Sequence, residues 1–320
     1  MKKIMKVIGK VLFCLLIFLV IFIIILSIWH HTMMIKDRER FENAYGEYYT
    51  TEDGHKMNYT LYDSDSDKVA VLLPGFAYGS VHYSFDALAH ELGDKYNIVI
   101  VEPLGYGLSD QTDKERTVEN YCKELHGLME YLGYDKYTLI GHSMSGLYMT
   151  YYSNEYTEEV ETIIGIDEYV PHMKNVKDSN PKLQYTIWKI AHYWIFLGLD
   201  RLMPSFNVES VKKKIPTLTD EEVELFLAMD RTIPTNKTQM NEIKFMDKNV
   251  DKCYDMKIPE SIPVLNILSK VNAEQYSDYT KVHEEISENP YSKTVVIEGG
   301  HNLHFDNLNG LVNEIKNWNH

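Results

Sequence analysis

Tyr137-Thr138-Leu139-Ile140-Gly141-His142-Ser143-Met144-Ser145-Gly146 is the most informative segment of this chain. Its first four residues favour a buried strand, and the residues that follow Ser143 are compatible with a helix. A serine at the tip of a sharp strand-to-helix turn has strained backbone dihedrals, so bulky residues two positions before or after it would collide. Gly141 and Ser145 occupy those two positions. The segment therefore predicts a nucleophile elbow, with Ser143 as the nucleophile.

Strand-like and helix-like segments alternate along the chain from residue 46 onward. The predicted strands are 46–51, 56–63, 69–73, 97–101, 137–140, 161–166, 264–268 and 294–297. The predicted helices between and after them are 85–92, 118–132, 146–152 and 308–318. Asp53-Gly54 between the first two strands is a hairpin signal. The alternation of the later elements predicts an α/β fold, with a mostly parallel sheet covered by helices on both faces.

The alternation stops between Pro171 and Pro263. The intervening chain has helical periodicity at 183–199, 221–228 and 240–246, and it is too long for a simple connection. We predict that residues 172–260 form an inserted helical cap, and that residues 41–171 and 261–320 form the core. An aromatic stripe in the cap either lines a pocket or forms the packing face of a helix; it comprises Tyr185, Trp188, His192 and Trp194.

Residues 1–40 predict a membrane anchor. Residues 11–29 carry no charge and consist mainly of Leu, Ile, Val and Phe. A run of this length is long enough to cross a bilayer as a helix. Four lysines precede this span and a mixed group of charges follows it, so we expect a cytoplasmic N-terminus and a single-pass protein of the cell membrane. The rest of the chain would lie on the extracytoplasmic side. A cleaved signal peptide is the alternative, although no small-x-small cleavage site follows the apolar run.

The remainder of the chain is acidic. Seven of the 32 basic residues and two of the 47 acidic residues lie within residues 1–40, so the rest carries a formal charge of about −20. This charge disfavours nucleic acid and anionic lipid headgroups as partners. The three cysteines show neither a disulfide framework nor metal-ligand spacing. The sequence implies neither a metal nor an organic cofactor, and we expect none.

A serine nucleophile needs a base, an acid that orients the base, and donors for the oxyanion. The candidate base is His301, on a Gly-rich loop directly after the last predicted strand, and His304 is the alternative. A histidine in this position can reach a serine at the carboxyl edge of a parallel sheet. The candidate oxyanion donors are the backbone N–H groups of Phe76, after the strand 69–73, and of Met144.

Four motifs in the expected order resemble those of the α/β-hydrolase family, over roughly residues 46–320. They are Leu73-Pro74-Gly75-Phe76, the segment Glu102-Pro103-Leu104-Gly105-Tyr106-Gly107-Leu108-Ser109-Asp110, the elbow around Ser143, and Gly299-Gly300-His301. The second is similar to the D-x-x-G-x-G-x-S motif of the family, with Glu102 in place of Asp. Pro74 stands where many members carry His. The resemblance implies the α/β-hydrolase fold with an inserted cap, here preceded by a transmembrane helix.

The acid of the catalytic triad is the point at which the sequence departs from the family. Members commonly carry it shortly after the strand read here as 264–268, and the position that aligns with it is Asn272, which cannot supply a negative charge. The acid is then Asp167 or Glu168 at the end of the strand 161–166, as in some relatives. A shifted alignment would instead make it Glu274 or Asp278. Without any of them, the site would be a weakened dyad.

The sequence therefore predicts a membrane-anchored serine hydrolase that cleaves a small apolar carboxylic ester. Relatives that open epoxides or cleave haloalkanes carry Asp in the elbow, so Ser143 disfavours those reactions. Two alternatives remain open. One is an aminopeptidase or amidase with the same site, in which a cap carboxylate meets the substrate amine. The other is a catalytically degenerate hydrolase domain that serves as a binding protein.

Overall fold

The computed structural model describes residues 2–173, 181–203 and 208–318. Within them, eight strands form one sheet in the order β1-β2-β4-β3-β5-β6-β7-β8. The strands are β1 (Glu47–Thr50), β2 (Lys56–Tyr62), β3 (Val69–Leu73), β4 (Asn97–Glu102), β5 (Tyr137–His142), β6 (Val160–Ile166), β7 (Val264–Ser269) and β8 (Lys293–Ile297). β1 pairs antiparallel with β2, and β2 with β4, whereas all other pairs are parallel. The predicted α/β fold class is confirmed.

Helices cover both faces of the sheet. In chain order the helices that flank it are α2 (Val81–Leu92), α3 (Val118–Leu132), α4 (Ser145–Glu155), α9 (Lys270–Gln275), α10 (Tyr279–Glu284), α11 (Leu303–Asp306) and α12 (Leu308–Asn317). Because successive strand residues point to opposite faces, Val71 packs towards α3 and α4 while Leu72 packs towards α2 and α12. Both faces of the central strands are therefore buried, which is why these strands read as continuous apolar runs.

The first helix is longer than the predicted span. It is α1 (Lys2–Phe41), and by length and composition it could cross a membrane. The segment between Trp29 and Phe41 contains no Gly or Pro that would end the helix. Phe41 is buried against the side chains of Ala228 and Met229. The helix therefore continues past the apolar run and packs its last turns on the folded domain.

Among the described residues, four further helices lie between β6 and β7. They are α5 (Pro181–Phe196), α6 (Val208–Lys214), α7 (Asp220–Thr232) and α8 (Lys237–Cys253), and a short 3₁₀ helix, Leu199–Leu202, follows α5. Helix α6 was not predicted, and the predicted cap residues 174–180 and 204–207 lie outside the described residues. The division of the chain into core and cap stays a prediction, although the helices occupy the predicted interval.

Helix α8 is attached to the core through buried polar groups. The Glu242 carboxylate accepts hydrogen bonds from the hydroxyls of Tyr106 (2.7 Å) and Tyr148 (2.6 Å). Further along the helix, the Asn249 side chain accepts from the Val118 N–H (3.0 Å) and donates to the Arg116 carbonyl (3.0 Å). A buried carboxylate needs such partners, because leaving it unpaired is costly. These bonds hold the inserted helices over the carboxyl edge of the sheet.

Candidate active site

Ser143 lies at the strained turn between β5 and α4. Its φ of +53° is in the left-handed region, which a non-glycine residue rarely adopts. The Ser143 N–H donates to the Ile166 carbonyl at 3.2 Å, and the Ser143 carbonyl accepts from the N–H groups of Gly146 and Tyr169. A Cβ atom at position 141 would lie 2.9 Å from the Ser145 Cβ atom and 2.6 Å from the Met149 Cε atom, which favours glycine at this position. The local structure thus matches the strained elbow predicted from the sequence.

Three side chains from separate parts of the chain meet at the carboxyl edge of the sheet. The His301 Nε2 atom is 2.9 Å from the Ser143 Oγ atom. The His301 Nδ1 atom is 2.6 Å from the Asp167 Oδ2 atom. Ser143 follows β5, Asp167 follows β6, and His301 follows β8, which brings them together because these parallel strands end at the same edge.

Asp167 is buried and held by several donors. Its Oδ1 atom accepts from the Ser269 N–H (2.7 Å) and the Tyr279 hydroxyl (3.0 Å), and its Oδ2 atom accepts from the Asn272 side-chain amide (2.5 Å) and from His301. Burial acts to raise the pKa of Asp167, but the hydrogen bonds from His301 and Ser269 outweigh it and hold the pKa below its ordinary value. The carboxylate therefore stays ionised beside the histidine.

Asn272 occupies the place where the resemblance led us to expect the acid. It lies in the short helix α9, not in a loop, and its amide donates to the Asp167 carboxylate. The Asn272 Nδ2 and His301 Nδ1 atoms are 3.4 Å apart because both donate to the same oxygen, Asp167 Oδ2. The asparagine thus stabilises the charge that it cannot itself carry.

The other acid candidates do not contact His301. The Glu274 carboxylate is exposed and faces Lys270 at 4.0 Å. Asp278 is the residue directly before α10 and has a φ of +62°. The Glu168 side chain is buried and turns back towards Gly165 in β6. Both residues follow the end of β6, and the backbone turns at Asp167, whose φ is +46°, so the two side chains leave the strand in different directions.

Glu168 should make stability depend on pH. Burial raises the pKa of its carboxyl to about 8, so the folded protein keeps it protonated near neutrality. Its contribution to stability is complete below the unfolded pKa near 4.5 and is lost as the pH rises towards about 8. We expect this group to cost on the order of 3 kcal/mol of unfolding free energy between pH 5 and pH 8.

The Glu168→Gln variant should lose less stability than wild type over that range, as measured by urea unfolding in detergent micelles. It should also leave Ser143 and His301 in place, since the Glu168 side chain turns back towards Gly165. An identical pH dependence in both proteins would contradict the assignment.

The two candidate oxyanion donors lie beside Ser143. Among the described residues, the N–H groups of Phe76 and Met144 donate to no other protein group. The Ser145 hydroxyl donates to the Pro74 carbonyl at 2.5 Å, which ties the loop after β3 to the elbow. A Cβ atom at Gly75 would lie 2.7 Å from His142 Nδ1, so glycine permits this close approach. The arrangement leaves two amides free to bind a developing negative charge.

A buried polar chain beneath the site was not predicted. The His142 Nε2 atom lies 3.0 Å from the His301 carbonyl, and its Nδ1 atom lies 3.0 Å from the Tyr78 hydroxyl. The same hydroxyl is 3.1 Å from His304 Nε2. Burial lowers the pKa of His142 far below its ordinary value and lowers the pKa of His304 to about 3. Both imidazoles are therefore neutral, and His304 does not contact Ser143 as a base would.

A cavity of about 260 Å³ opens beside the loop after β3 that carries Phe76, called here the oxyanion loop. Its lining is largely apolar and comes from that loop, from α6 and α7, and from the loop after β8; it includes Phe76, Val211, Ile215, Phe226 and Phe305. Lys214 and Asp230 add one charge of each sign. A larger cavity of about 360 Å³ lies near the end of α1. Neither cavity is lined by Ser143, Asp167 or His301; the smaller one borders the site through Phe76 and Asn302.

Among the described residues, no group of three or more His, Cys, Asp or Glu side chains could hold a metal ion. Among the described residues, two carboxylates of the inserted helices have other contacts and are not free to meet a substrate amine. Asp220 pairs with Lys212, and Glu222 accepts from the Thr219 N–H at 2.7 Å in a capping box at the start of α7. Asp230 is the carboxylate that lines the cavity.

Comparisons with known proteins agree with this fold. A family model described as the alpha/beta hydrolase fold matches residues 69–308. An uncharacterised protein of Bacillus subtilis, YbdG, is 25% identical over 241 residues, which span 71% of this chain and 70% of YbdG. Epoxide hydrolase 4 of Mus musculus is 22% identical over 281 residues, which span 82% of this chain and 76% of that protein.

A solved structure also matches most of the chain. Cfl2 of Burkholderia cenocepacia superposes with a TM-score of 0.65 at 14% identity, covering 84% of this chain and 94% of Cfl2. At this level of identity the similarity concerns the fold alone.

Proposed function

Because this chain belongs to the α/β-hydrolase fold family, we propose that it is a serine hydrolase that cleaves a carboxylic ester through an acyl-enzyme. The observation that carries the proposal is the hydrogen-bonded series from Ser143 through His301 to Asp167, with distances of 2.9 and 2.6 Å. This is the arrangement that a serine nucleophile, its base and the orienting acid require.

In the acylation step, His301 Nε2 takes the hydroxyl proton of Ser143 as the Oγ atom attacks the carbonyl carbon of the ester. The carbonyl π electrons move to the oxygen, which is held by the N–H groups of Phe76 and Met144. When the tetrahedral intermediate collapses, the bond to the leaving alcohol breaks and the alcohol takes the proton from His301. Asp167 stays ionised throughout and stabilises the imidazolium.

In the second step a water molecule takes the place of the alcohol. His301 removes its proton, the hydroxide attacks the acyl carbon, and the Ser143 Oγ atom leaves with the proton that His301 returns. The product is a carboxylic acid. The apolar lining of the cavity beside the oxyanion loop supports an ester with an apolar acyl or alcohol group.

The relative from Mus musculus is named as an epoxide hydrolase. Family members that open epoxides use a carboxylate in the elbow, whereas this chain has the Ser143 hydroxyl activated by His301. Ester cleavage fits this nucleophile better.

We further propose that α1 anchors the enzyme in the cell membrane by a single span, with the catalytic domain on the extracytoplasmic side. The support is the uncharged run 11–29 within α1 and the lysines that precede it. The helices α5 to α8 would then act as a cap over Ser143. The support is that they follow β6, that α6 and α7 line the cavity, and that Trp188 of α5 packs against Phe76.

One observation favours a second candidate function, the hydrolysis of an amide that carries an amine. Asp230 lines the cavity beside the oxyanion loop and could meet an ammonium group. Lys214 lines the same cavity and would repel that group. Parallel assays with a fatty-acyl p-nitrophenyl ester and an aminoacyl p-nitroanilide distinguish the two functions.

A fluorophosphonate probe tests the proposed function directly, because it forms a covalent bond only with an activated serine. We expect the wild-type protein to be labelled, and the Ser143→Ala variant to remain unlabelled. Ser153→Ala is a matched control, since the Ser153 hydroxyl is buried within α4 and bonded to the Thr150 carbonyl. Absence of labelling in folded wild-type protein would reject the enzyme and favour the binding-protein alternative.

A further inference from the structure

Helix α5 presents an unusually apolar face to solvent. Ile187, Ile190 and Trp194 recur at the spacing of one helix face and are 55%, 62% and 45% exposed. Further large apolar side chains are exposed on the same helix and after it; they are Leu183, Tyr193, Phe196, Leu202 and Met203. We call this set the α5 apolar face. A contiguous apolar surface of this kind marks an interaction site in a folded protein.

The α5 apolar face begins where α1 leaves its apolar run. The ring of Phe196 at the end of α5 packs edge-on against His31 with centroids 4.9 Å apart, and its carbonyl accepts from the Ser27 hydroxyl at 3.4 Å. After α5, the Arg201 guanidinium lies 5.4 Å from the centre of the Trp29 ring. Since the uncharged run ends at Trp29, the C-terminal end of α5 lies at the level where the span would meet the lipid headgroups.

The residues of the α5 apolar face are of the kinds found at the level of the lipid headgroups. Tyr and Trp concentrate at membrane interfaces because their rings are apolar and their polar atoms reach water. Tyr193 and Trp194 meet this description, and both are about half exposed. Lys189 is exposed on the same helix, and its long side chain can reach the headgroups. The surface is therefore suited to a lipid interface.

The same helix contacts the candidate active site. The ring of Trp188 packs edge-on against Phe76 with centroids 4.8 Å apart. Phe76 supplies one candidate oxyanion donor and lines the cavity. Helix α5 thus has one side exposed near the end of the membrane span and another side packed against the oxyanion loop.

We propose that the α5 apolar face lies in the outer interface of the bilayer that α1 spans, and that the substrate is an ester resident in that bilayer. The second half of this proposal rests on the proposed ester hydrolysis, and the docking of α5 does not. An ester with a long acyl chain would move from the lipid along α5 into the apolar cavity, without passing through water.

Docking is tested with the full chain in phosphatidylcholine vesicles. A polarity-sensitive fluorophore is attached to Ile190→Cys and, as a control, to Tyr291→Cys. Tyr291 is exposed and lies just before β8, at the amino ends of the parallel strands, whereas the candidate active site lies at their carboxyl ends. Cys122 and Cys253 are buried, and Cys14 is in the uncharged run, so a Cys14→Ser background suffices. Lipids with a nitroxide near the headgroup should quench the reporter at position 190 and leave that at position 291 bright. Equal quenching at both positions, or contact of position 190 with a second protein copy instead of lipid, would overturn the proposal.

The substrate class is tested in the same vesicles. The double variant Ile187→Glu/Ile190→Glu should hydrolyse a fatty-acyl umbelliferyl ester dissolved in the vesicles about tenfold more slowly than wild type. Its rate on soluble p-nitrophenyl acetate should stay within about twofold of wild type, since neither side chain faces Ser143. Tyr291→Glu should change neither rate.

An equal loss on both esters, or no loss on the vesicle ester, would overturn the substrate assignment.

The proposed function can fail independently of the docking surface. Wild-type protein that resists carbonate extraction, shows lipid quenching at position 190 and cleaves neither ester would reject ester hydrolysis and leave the docking surface in place. Wild-type protein that is extracted by carbonate would reject the membrane span.

Discussion

Replacing His301 with alanine is expected to lower kcat for ester hydrolysis by about 10⁵- to 10⁶-fold, and adding Ser143→Ala should cost little more. The reason is that the two residues act as a unit. Without the base 2.9 Å away, the Ser143 hydroxyl keeps its proton and is a poor nucleophile, and without the serine the base has no proton to take. The oxyanion donors and substrate binding would supply the residual rate.

The measurement is kcat for wild type, the two single variants and the double variant on one p-nitrophenyl ester. His304→Gln is the matched control, because its imidazole is buried against Tyr78 and does not contact Ser143. A loss in His304→Gln as large as that in His301→Ala, or losses that multiply in the double variant, would contradict the assignment.

Asp167→Asn should lower kcat by about 10³- to 10⁴-fold while leaving the fold intact. An amide at this position donates towards His301 Nδ1 instead of accepting from it, so the ring loses both its orientation and the charge that stabilises its protonated form. Glu274→Gln should have no such effect, because that carboxylate faces Lys270 on the surface. Comparable losses in the two variants would show that the acid is assigned wrongly.

The position of Asn272 allows a sharper test of the same site. Its side-chain amide is 2.5 Å from the Asp167 carboxylate and 3.4 Å from His301 Nδ1. In the exchange variant Asp167→Asn/Asn272→Asp, the carboxylate moves to the other side of the same hydrogen bond. We expect it to recover about tenfold or more of the activity lost in Asp167→Asn. An exchange variant no more active than the single variant would show that Asn272 cannot replace the acid.

Much of the fold could be predicted because it depends on local patterns. The strands 69–73 and 264–268 and the helix 118–132 are runs whose periodicity is visible in the sequence, and the structure places β3, β7 and α3 there. The elbow could be found for the same reason, since its small residues and its strained turn lie within one decapeptide. Helix α1 continues beyond the predicted span 11–29, because that prediction followed hydrophobicity, whereas the helix ends only where Phe41 packs on α7.

The sequence by itself determined the family fold, the elbow around Ser143 and the histidine after the last strand. Each of these depends on residues that lie close together in the chain, so their pattern can be recognised without the structure. Only the tertiary structure decided which carboxylate meets His301. Asp167 is 134 positions from His301 and 105 from Asn272, and their distances depend on how β6, β7 and β8 align in the sheet. The same is true of the α5 apolar face. Only the packing of α5 beside Ser27 and Phe76 shows which of its side chains are left exposed.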